Sequence, residues 1–375
     1  MECREIIRLM EKLAPSKYAL QWDNVGLLVG RDNKDVKTVM VALDSSMAVI
    51  EEAVKNNVDM LITHHPLIFS PIKRVNFNDP IGKKIFLLAN NDISYYAAHT
   101  NLDVAVMADV VGKMFGLTNT NPLEDSYSEI VYKVSVFVPV SHALKVRDAM
   151  TREGAGYIGG YSNCTFMGEG KGSFKALDGS EPYVGMVNEL TTVDETKIET
   201  VVKEENLDRV IKAMLKVHPY EEVAYDIYKL ENKIDEKGIG IRGYINNDMT
   251  LEELANMVKD KFEADTVKVC GNLRKKVVSV AICPGAGKSV IKNAIKAKVD
   301  VLITGDIDHH TALDAWETGL AIIDGGHFMT EHFVVDYVRD YLINSVYNSD
   351  DDLFSNNRKL EVIKAREKEP FTVLN

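Results

Sequence analysis

Val58-Asp59-Met60-Leu61-Ile62-Thr63 returns as Val299-Asp300-Val301-Leu302-Ile303-Thr304, and this repetition decides how the chain is read. Each copy is a short aliphatic run opened by an aspartate and closed by a threonine, the pattern of a strand buried on both faces. Working upstream, Val39-Met40-Val41-Ala42-Leu43 matches Val278-Ser279-Val280-Ala281-Ile282, and nine residues separate Ile50 and Ile291 from Asp59 and Asp300 in turn. Working downstream, each copy is followed by a histidine with an acid four residues on, His99 with Asp103 and His327 with Glu331. Strand, helix, strand and His-x-x-x-acid in the same order twice predicts two related α/β lobes that face one another, with a site between them.

The totals agree with more than one core. The chain has 375 residues, 46% of them hydrophobic, which predicts two or three domains. A formal net charge of -12 repels a nucleic-acid backbone, so nucleic acid is not an expected partner. Cys3, Cys164, Cys270 and Cys283 lie far apart, without zinc-knuckle spacing or a disulfide pattern, and read as reduced, mostly buried thiols of a cytoplasmic protein. Glu2, Arg4 and Glu5 interrupt the start of the chain, so it does not read as a secretory signal. No stretch reaches the roughly 20 apolar residues of a membrane span, and no membrane is expected.

Along the chain, the pattern predicts helices over residues 4–14, 47–56, 81–90 and 104–115, with strands over 38–43, 60–63 and 93–98. Strand-helix-strand order at this spacing favours parallel pairing with right-handed crossovers. Thr118-Asn119-Thr120-Asn121-Pro122 reads as the turn that ends the first lobe. From about Val131 to Leu230 the strands alternate and the order becomes β-α-β-β-α-β, the ferredoxin-like arrangement. The second lobe resumes near Gly238, with a helix from Leu251 to Phe262 ahead of the duplicated strands. A long helix from about Thr330 to Asn344 and a polar stretch from Asn348 to Asn357 complete the pattern.

His64 and His65 follow the strand Leu61-Ile62-Thr63 at its C-terminal end, where parallel sheets place their ligand crevices. Neighbouring side chains in extended chain point to opposite sides, so the pair can serve two ions or two faces of one cluster. A single buried histidine is more often structural, but two together at a strand end favour ligation. Asp103 has a bland reading as the N-cap of a helix beginning at Val104. His327 and Glu331 stand one helical turn apart and converge on one face. Their approach, Ile322-Ile323-Asp324-Gly325-Gly326, reads as a buried strand and tight turn, not as the polar setting of a solvated ion pair.

Three imidazoles and two carboxylates suit borderline or harder divalent ions of the Zn, Fe or Mn class. Five ligands hold two ions only if one carboxylate bridges, which leaves positions for water, and water so held is acidified into a nucleophile. The expected reaction class is metal-assisted hydrolysis, with His99 as the candidate acid or substrate contact. His309 and His310 stand at the matching strand end of the second lobe, and these two and His99 rank below the five ligand candidates.

Two further segments invite and lose a functional reading. Pro284-Gly285-Ala286-Gly287-Lys288-Ser289 has the end of a phosphate loop, but Ile282 stands where that loop requires glycine. It reads as a glycine-rich strand-to-helix turn. His218, ahead of Pro219, reads as a capping or packing residue.

Together, Trp22-Asp23-Asn24-Val25-Gly26-Leu27, Thr63-His64-His65-Pro66, His99-Thr100-Asn101-Leu102-Asp103, Thr304-Gly305-Asp306 with His309-His310, and His327 with Glu331 resemble the NIF-three-like family. Its members are often labelled GTP cyclohydrolase 1 type 2 homologues, and the resemblance covers essentially the whole chain. It implies a duplicated two-lobe α/β core with an inserted ferredoxin-like domain of PII or CutA type. The corresponding boundaries are residues 1–126 for the first lobe, 127–232 for the insert and 233–375 for the second lobe. It also implies two divalent metal ions per chain held by His64, His65, Asp103, His327 and Glu331, and a toroidal homohexamer. The expected activity is hydrolysis of a small molecule: GTP, another nucleotide or a phosphorylated compound. The alternative is a metal-binding ring that scaffolds partners, with the insert sensing a small ligand.

Overall fold

The computed structural model describes residues 1–232, 234–347 and 360–373. The polar stretch expected from Asn348 to Asn357 lies outside the described residues. The chain divides into two compact units, Met1–Tyr127 with Lys237–Asn375, and Ser128–Glu236.

The first unit contains two sheets. In one, the parallel strands Ser94–Ala97, Met60–Thr63, Thr38–Ala42 and Glu361–Lys364 lie in that order, with Gly26–Val29 antiparallel at the edge beside Ser94–Ala97. In the other, Ala321–Asp324, Val301–Gly305 and Lys276–Ala286 are parallel. That sheet is extended by antiparallel Lys268–Cys270 beside Ala321–Asp324, and by Ile234–Thr250 and then Thr118–Glu129 on the opposite side. The duplicated hexapeptides thus form corresponding strands of two separate sheets, each flanked by two parallel neighbours, and all four residues of Met60–Thr63 and all five of Val301–Gly305 are buried.

The repeated aspartate explains why both copies begin alike. Asp59 Oδ2 accepts from the amides of Lys37 and Thr38 at 2.7 and 3.0 Å, and Asp300 Oδ2 accepts from those of Val278 and Ser279 at 3.1 and 3.0 Å. Each carboxylate ties the start of one parallel strand to the next, satisfying amides that no ladder partner reaches.

The cores interlock. Val334, Val335, Val338 and Leu342 of helix Phe333–Tyr347 pack among Val39, Val41, Met60 and Ile62 of the first sheet. Val111 of helix Ala108–Met114, with Phe115, packs among Val280, Val301 and Ile303 of the second. Each lobe lends its last helix to the other's sheet, and the C-terminal strand Glu361–Lys364 returns to the first sheet.

Two expectations change. The turn expected at Thr118–Pro122 opens the strand Thr118–Glu129, where Pro122 is tolerated because the strand lies at a sheet edge. A Cβ on Gly238 would stand 1.8 Å from the Glu124 carbonyl oxygen, so the neighbouring strand is admitted only because residue 238 is glycine. Asp103 is not a helix N-cap. The helical run begins at Thr100 with His99 as its cap, and Asp103–Met107 is a π-turn inside it that leads into Ala108–Met114. Such single-turn widenings re-aim side chains and recur at functional sites.

The second unit runs Val131–Pro139, helix Ala143–Arg152, Thr165–Lys175, Leu190–Lys203, helix Glu204–Val217 and Tyr225–Lys229. The strands lie in the order Thr165–Lys175, Leu190–Lys203, Val131–Pro139, Tyr225–Lys229, each antiparallel to its neighbours. Val134, Val136 and Val138 alternate onto the face that meets Val146, Met150, Val210 and Met214 of the two helices.

Candidate metal centre

His64 and His65 follow the end of strand Met60–Thr63, and His65 lines an open cleft of about 1490 Å³ together with Asp103, His327 and Glu331. His64 is buried, and its Nδ1 meets the Ala98 carbonyl oxygen at 2.9 Å. Its Nε2 is buried with no hydrogen-bond partner. That nitrogen lies 3.5 Å from Asp103 Oδ1 and 3.9 Å from Glu331 Oε1. The Nδ1 of His65 meets Asp44 Oδ1 at 2.8 Å, and its Nε2 lies 3.0 Å from Glu331 Oε2. His327 mirrors this arrangement: Nδ1 meets Asp306 Oδ2 at 2.7 Å, and Nε2 lies 3.0 Å from Glu331 Oε2 and 3.3 Å from His65 Nε2.

Glu331 is therefore shared. One oxygen faces His65 and His327, and the other faces His64 beside Asp103. Each of these groups, His65 with His327 and Glu331, and His64 with Asp103 and Glu331, keeps its ligand atoms within 4.8 Å of one another. A third group joins His64, His65 and His99. These residues fit divalent ions. A buried imidazole nitrogen without a partner beside two carboxylates is costly unless a cation stands there, and two Nε2 atoms meeting at 3.3 Å on one carboxylate oxygen need a positive charge between them.

In the protein without ions, protons supply that charge. His65 is buried, which lowers its pKa, but hydrogen bonds to Asp44 and Glu331 outweigh this and hold it at about 10. His327 is raised to about 9, chiefly by its hydrogen bond to Glu331. Glu331 is buried, yet the hydrogen bonds from His327 and His65 hold its carboxyl well below the usual carboxylate range. Burial drives His64 down to about 3, keeping it a neutral donor, and burial with the charge of Glu331 lifts Asp103 to about 7. Ion binding at His65 and His327 would therefore displace their protons.

His99 completes a pattern. Its Nδ1 meets Asp23 Oδ1 at 2.9 Å, as those of His64, His65 and His327 meet Ala98, Asp44 and Asp306. All four rings are oriented by an acceptor on Nδ1, the arrangement that fixes a ligating or proton-carrying imidazole. Asp23 also accepts from the Thr100 amide and hydroxyl, and although burial opposes it, these bonds and that of His99 bring its carboxyl down to about 2.

The supporting residues were not singled out from the sequence. Asp23 and Asp306 lie inside quoted motifs, and their adjacency to glycine turns was the available signal. Asp306 holds a left-handed φ of 59°, strain concentrated beside the residue it supports. Gly285, at φ 68°, is also part of the site, because a Cβ there would stand 1.9 Å from Glu331 Oε1. Asp44 is in turn set by the tail, whose Glu367 accepts from the amides of Leu43 and Asp44 at 2.6 and 2.8 Å.

The lower-ranked residues stay outside. His309 and His310 are exposed in the first turn of helix His309–Glu317 and join none of the clusters found among the described residues. Lys288 pairs with Asp308 at 2.7 Å, and Gly287 makes room for Thr304, so apart from Gly285 the glycine-rich turn is a packing feature. Both His218 nitrogens are occupied, by the Phe137 carbonyl oxygen at 3.0 Å and the Tyr220 amide at 3.1 Å.

Comparison with known proteins agrees with this layout. The model of the Duf34/NIF3 (NGG1p interacting factor 3) family matches residues 1–359. A Bacillus subtilis protein named GTP cyclohydrolase 1 type 2 homolog is 43% identical over 327 residues, 87% of this chain and 88% of that one. A Bacillus cereus protein related to NIF3 has a crystal structure that superposes with a TM-score of 0.83 at 38% identity, covering 100% of this chain and 99% of that one. A Staphylococcus aureus structure does so with a TM-score of 0.80 at 29% identity, covering 100% and 99%. The chain belongs to the Duf34/NIF3 family. No helix among the described residues is long and apolar enough to cross a membrane.

Proposed function

We propose that this chain is a hydrolase dependent on two divalent ions, acting on GTP or on another nucleotide or phosphorylated small molecule. The observation that supports it is Glu331, one carboxylate set between two nitrogen-bearing groups in an open cleft. His65, His327 and Glu331 would hold one ion, and His64, Asp103 and Glu331 the other. Three protein residues each leave positions for water and substrate, as catalytic rather than closed structural sites do. Bound there, the ions supply a nucleophile from water near neutral pH and stabilise developing negative charge. The chain's own residues then orient and move protons: Asp44, Asp306 and the Ala98 carbonyl hold the ligands, and Asp23 holds His99 with its Nε2 free to protonate a leaving group.

Residues 127–232 form a ferredoxin-like insert of PII or CutA type, supported by the element order and by the strand order of Ser128–Glu236. Residues 1–126 and 233–375 form the two lobes, and the chain assembles as a toroidal homohexamer in the cytoplasm, checked by light scattering of the purified protein.

Turnover of a nucleotide and phosphoester panel by metal-loaded protein tests the activity. Dependence on added metal is expected, with Asp103→Asn slowing it at least about a hundredfold. Full metal content with no turnover across the panel would favour a scaffold whose insert senses a ligand.

A further inference from the structure

We infer that Trp22, Phe69 and His99 form a binding wall for a planar heteroaromatic ring, placed so that the ring's edge is presented to the metal centre. The inference rests on the metal reading for what happens to the ring, but not for its capture. Trp22 and Phe69 are each 55% exposed, an unusual state for two large aromatic side chains in contact. Their ring centroids are 5.5 Å apart at an interplanar angle of 46°. His99 meets both edge-on, at 6.0 and 6.4 Å, and also lies 5.2 and 5.7 Å from the rings of His64 and His65. All but His64 line the one cleft, so the aromatic wall and the metal-binding side chains share a floor.

Exposure here does not mean looseness. Asp23, next to Trp22, is tied to His99 and Thr100, and the Leu20 amide donates to the Thr100 hydroxyl at 2.9 Å. Asn24 Nδ2 donates to the carbonyl oxygen of Ile68, next to Phe69, at 2.7 Å. The two ring-bearing segments are therefore pinned to the site and to each other by polar bonds that leave the rings uncovered. Apolar faces held in place at some cost in exposure are what a stacking platform requires, since the ligand then meets surface that is already ordered. The gap is tilted rather than closed, so a flat ring stacks on one aromatic face and abuts the other. The tethering of His99 through Nδ1 leaves its Nε2 to meet a ring nitrogen or carbonyl.

Tryptophan fluorescence reads this directly. Trp316 is exposed and remote in sequence from these motifs, so Trp316→Phe leaves Trp22 as the sole tryptophan. In that background, guanosine and GTP should quench emission saturably with or without divalent metal, and ribose 5-phosphate should not. Phe69→Ala should weaken guanosine binding roughly tenfold, the scale of losing one stacking partner, with Phe69→Tyr restoring it. Metal content, measured on the same samples, should be unchanged in both. Equal quenching by ribose 5-phosphate, or guanosine binding indifferent to Phe69→Ala, would overturn the wall. Loss of metal from wild-type protein with guanosine binding intact would instead count against the metal reading alone.

Discussion

The two lobes have the same strands but contribute differently to the centre, and the difference is a matter of register. In the first lobe, Val39 pairs with Met60 and Met60 with Ser94; in the second, Val280 pairs with Val301 and Val301 with Ala321. Carried to the strand ends, His64 and His65 correspond to Gly305 and Asp306. The first lobe places two candidate ligands where the second places a close-packed glycine and a carboxylate that meets His327. Carried to the next helix, His99 corresponds to Gly326, both of them caps, so His327 stands one residue further into its helix than His99 does. One residue turns a side chain by about 100°. The same His-x-x-x-acid spacing therefore sends His327 onto Glu331 and leaves His99 apart from Asp103, facing the cleft from its tie to Asp23.

If the two groups share Glu331 but not their remaining residues, their variants should separate by count. Glu331→Gln should lose nearly all bound metal, while His327→Ala and His64→Ala should each lose about half, read by elemental analysis. Equal losses in all three would mean that the ions bind only as a pair, and the division into two groups would fail.

Gly285 and Asp44 sharpen the same contrast, because Gly285 stands near the end of strand Lys276–Ala286 and Asp44 just beyond the end of the corresponding strand Thr38–Ala42. Gly285→Ala would add a Cβ within 1.9 Å of Glu331 Oε1 at a left-handed φ of 68°. It should displace the shared carboxylate, costing about 1–3 kcal/mol of backbone strain together with metal from both groups. Asp44→Asn removes only the acceptor behind His65 and should weaken metal binding by about 10–100-fold with the fold retained. Competition with a chelator orders the two.

How far the sequence exposes this arrangement depends on period. The buried runs at Met60–Thr63 and Val301–Gly305 are legible because each is aliphatic throughout. The match of Val39 with Val278 is not the structural one, since Val39 corresponds to Val280. A two-residue slip keeps every side chain on its own face, so hydrophobic patterning cannot detect it. The ligand side chains come together as their residue types suggest, but the exchange of Phe333–Tyr347 and Ala108–Met114 between lobes leaves no local signal. An amphipathic helix shows that it has a buried face and not which sheet covers it. The π-turn at Asp103–Met107 is not legible in the sequence either, because it depends on the packing around it and not on its own residues.

Without metal, the protonated pair should show in stability. His65 and His327 have folded pKa values of about 10 and 9 against an ordinary 6.5, so their contribution is complete below that value and is lost as pH rises through 9 to 10. Glu331 is shifted down, and its contribution is lost only in acid. The metal-free protein should therefore lower its Tm on going from neutral to pH 10. The metal-loaded protein should not, because ligation requires those same imidazoles without their protons. Matching curves would show that protons and ions do not compete for this carboxylate.

The smallest effect tests what the lobes share. Asp59 and Asp300 each accept from two strand amides, and Asp300 takes the Ser279 hydroxyl as well at 2.9 Å. Asp59→Asn and Asp300→Asn keep an acceptor oxygen but lose its charge, which weakens charge-assisted bonds by about 1 kcal/mol. Because both residues sit at the strand starts, far along the sheet from the ligand-bearing ends, metal content should not change in either. Chemical denaturation should give nearly equal losses, with Asp300→Asn slightly the larger for its third bond. A loss confined to one lobe would mean that the repeated hexapeptide shares its letters without sharing its role, and the duplication would then stop at the sequence.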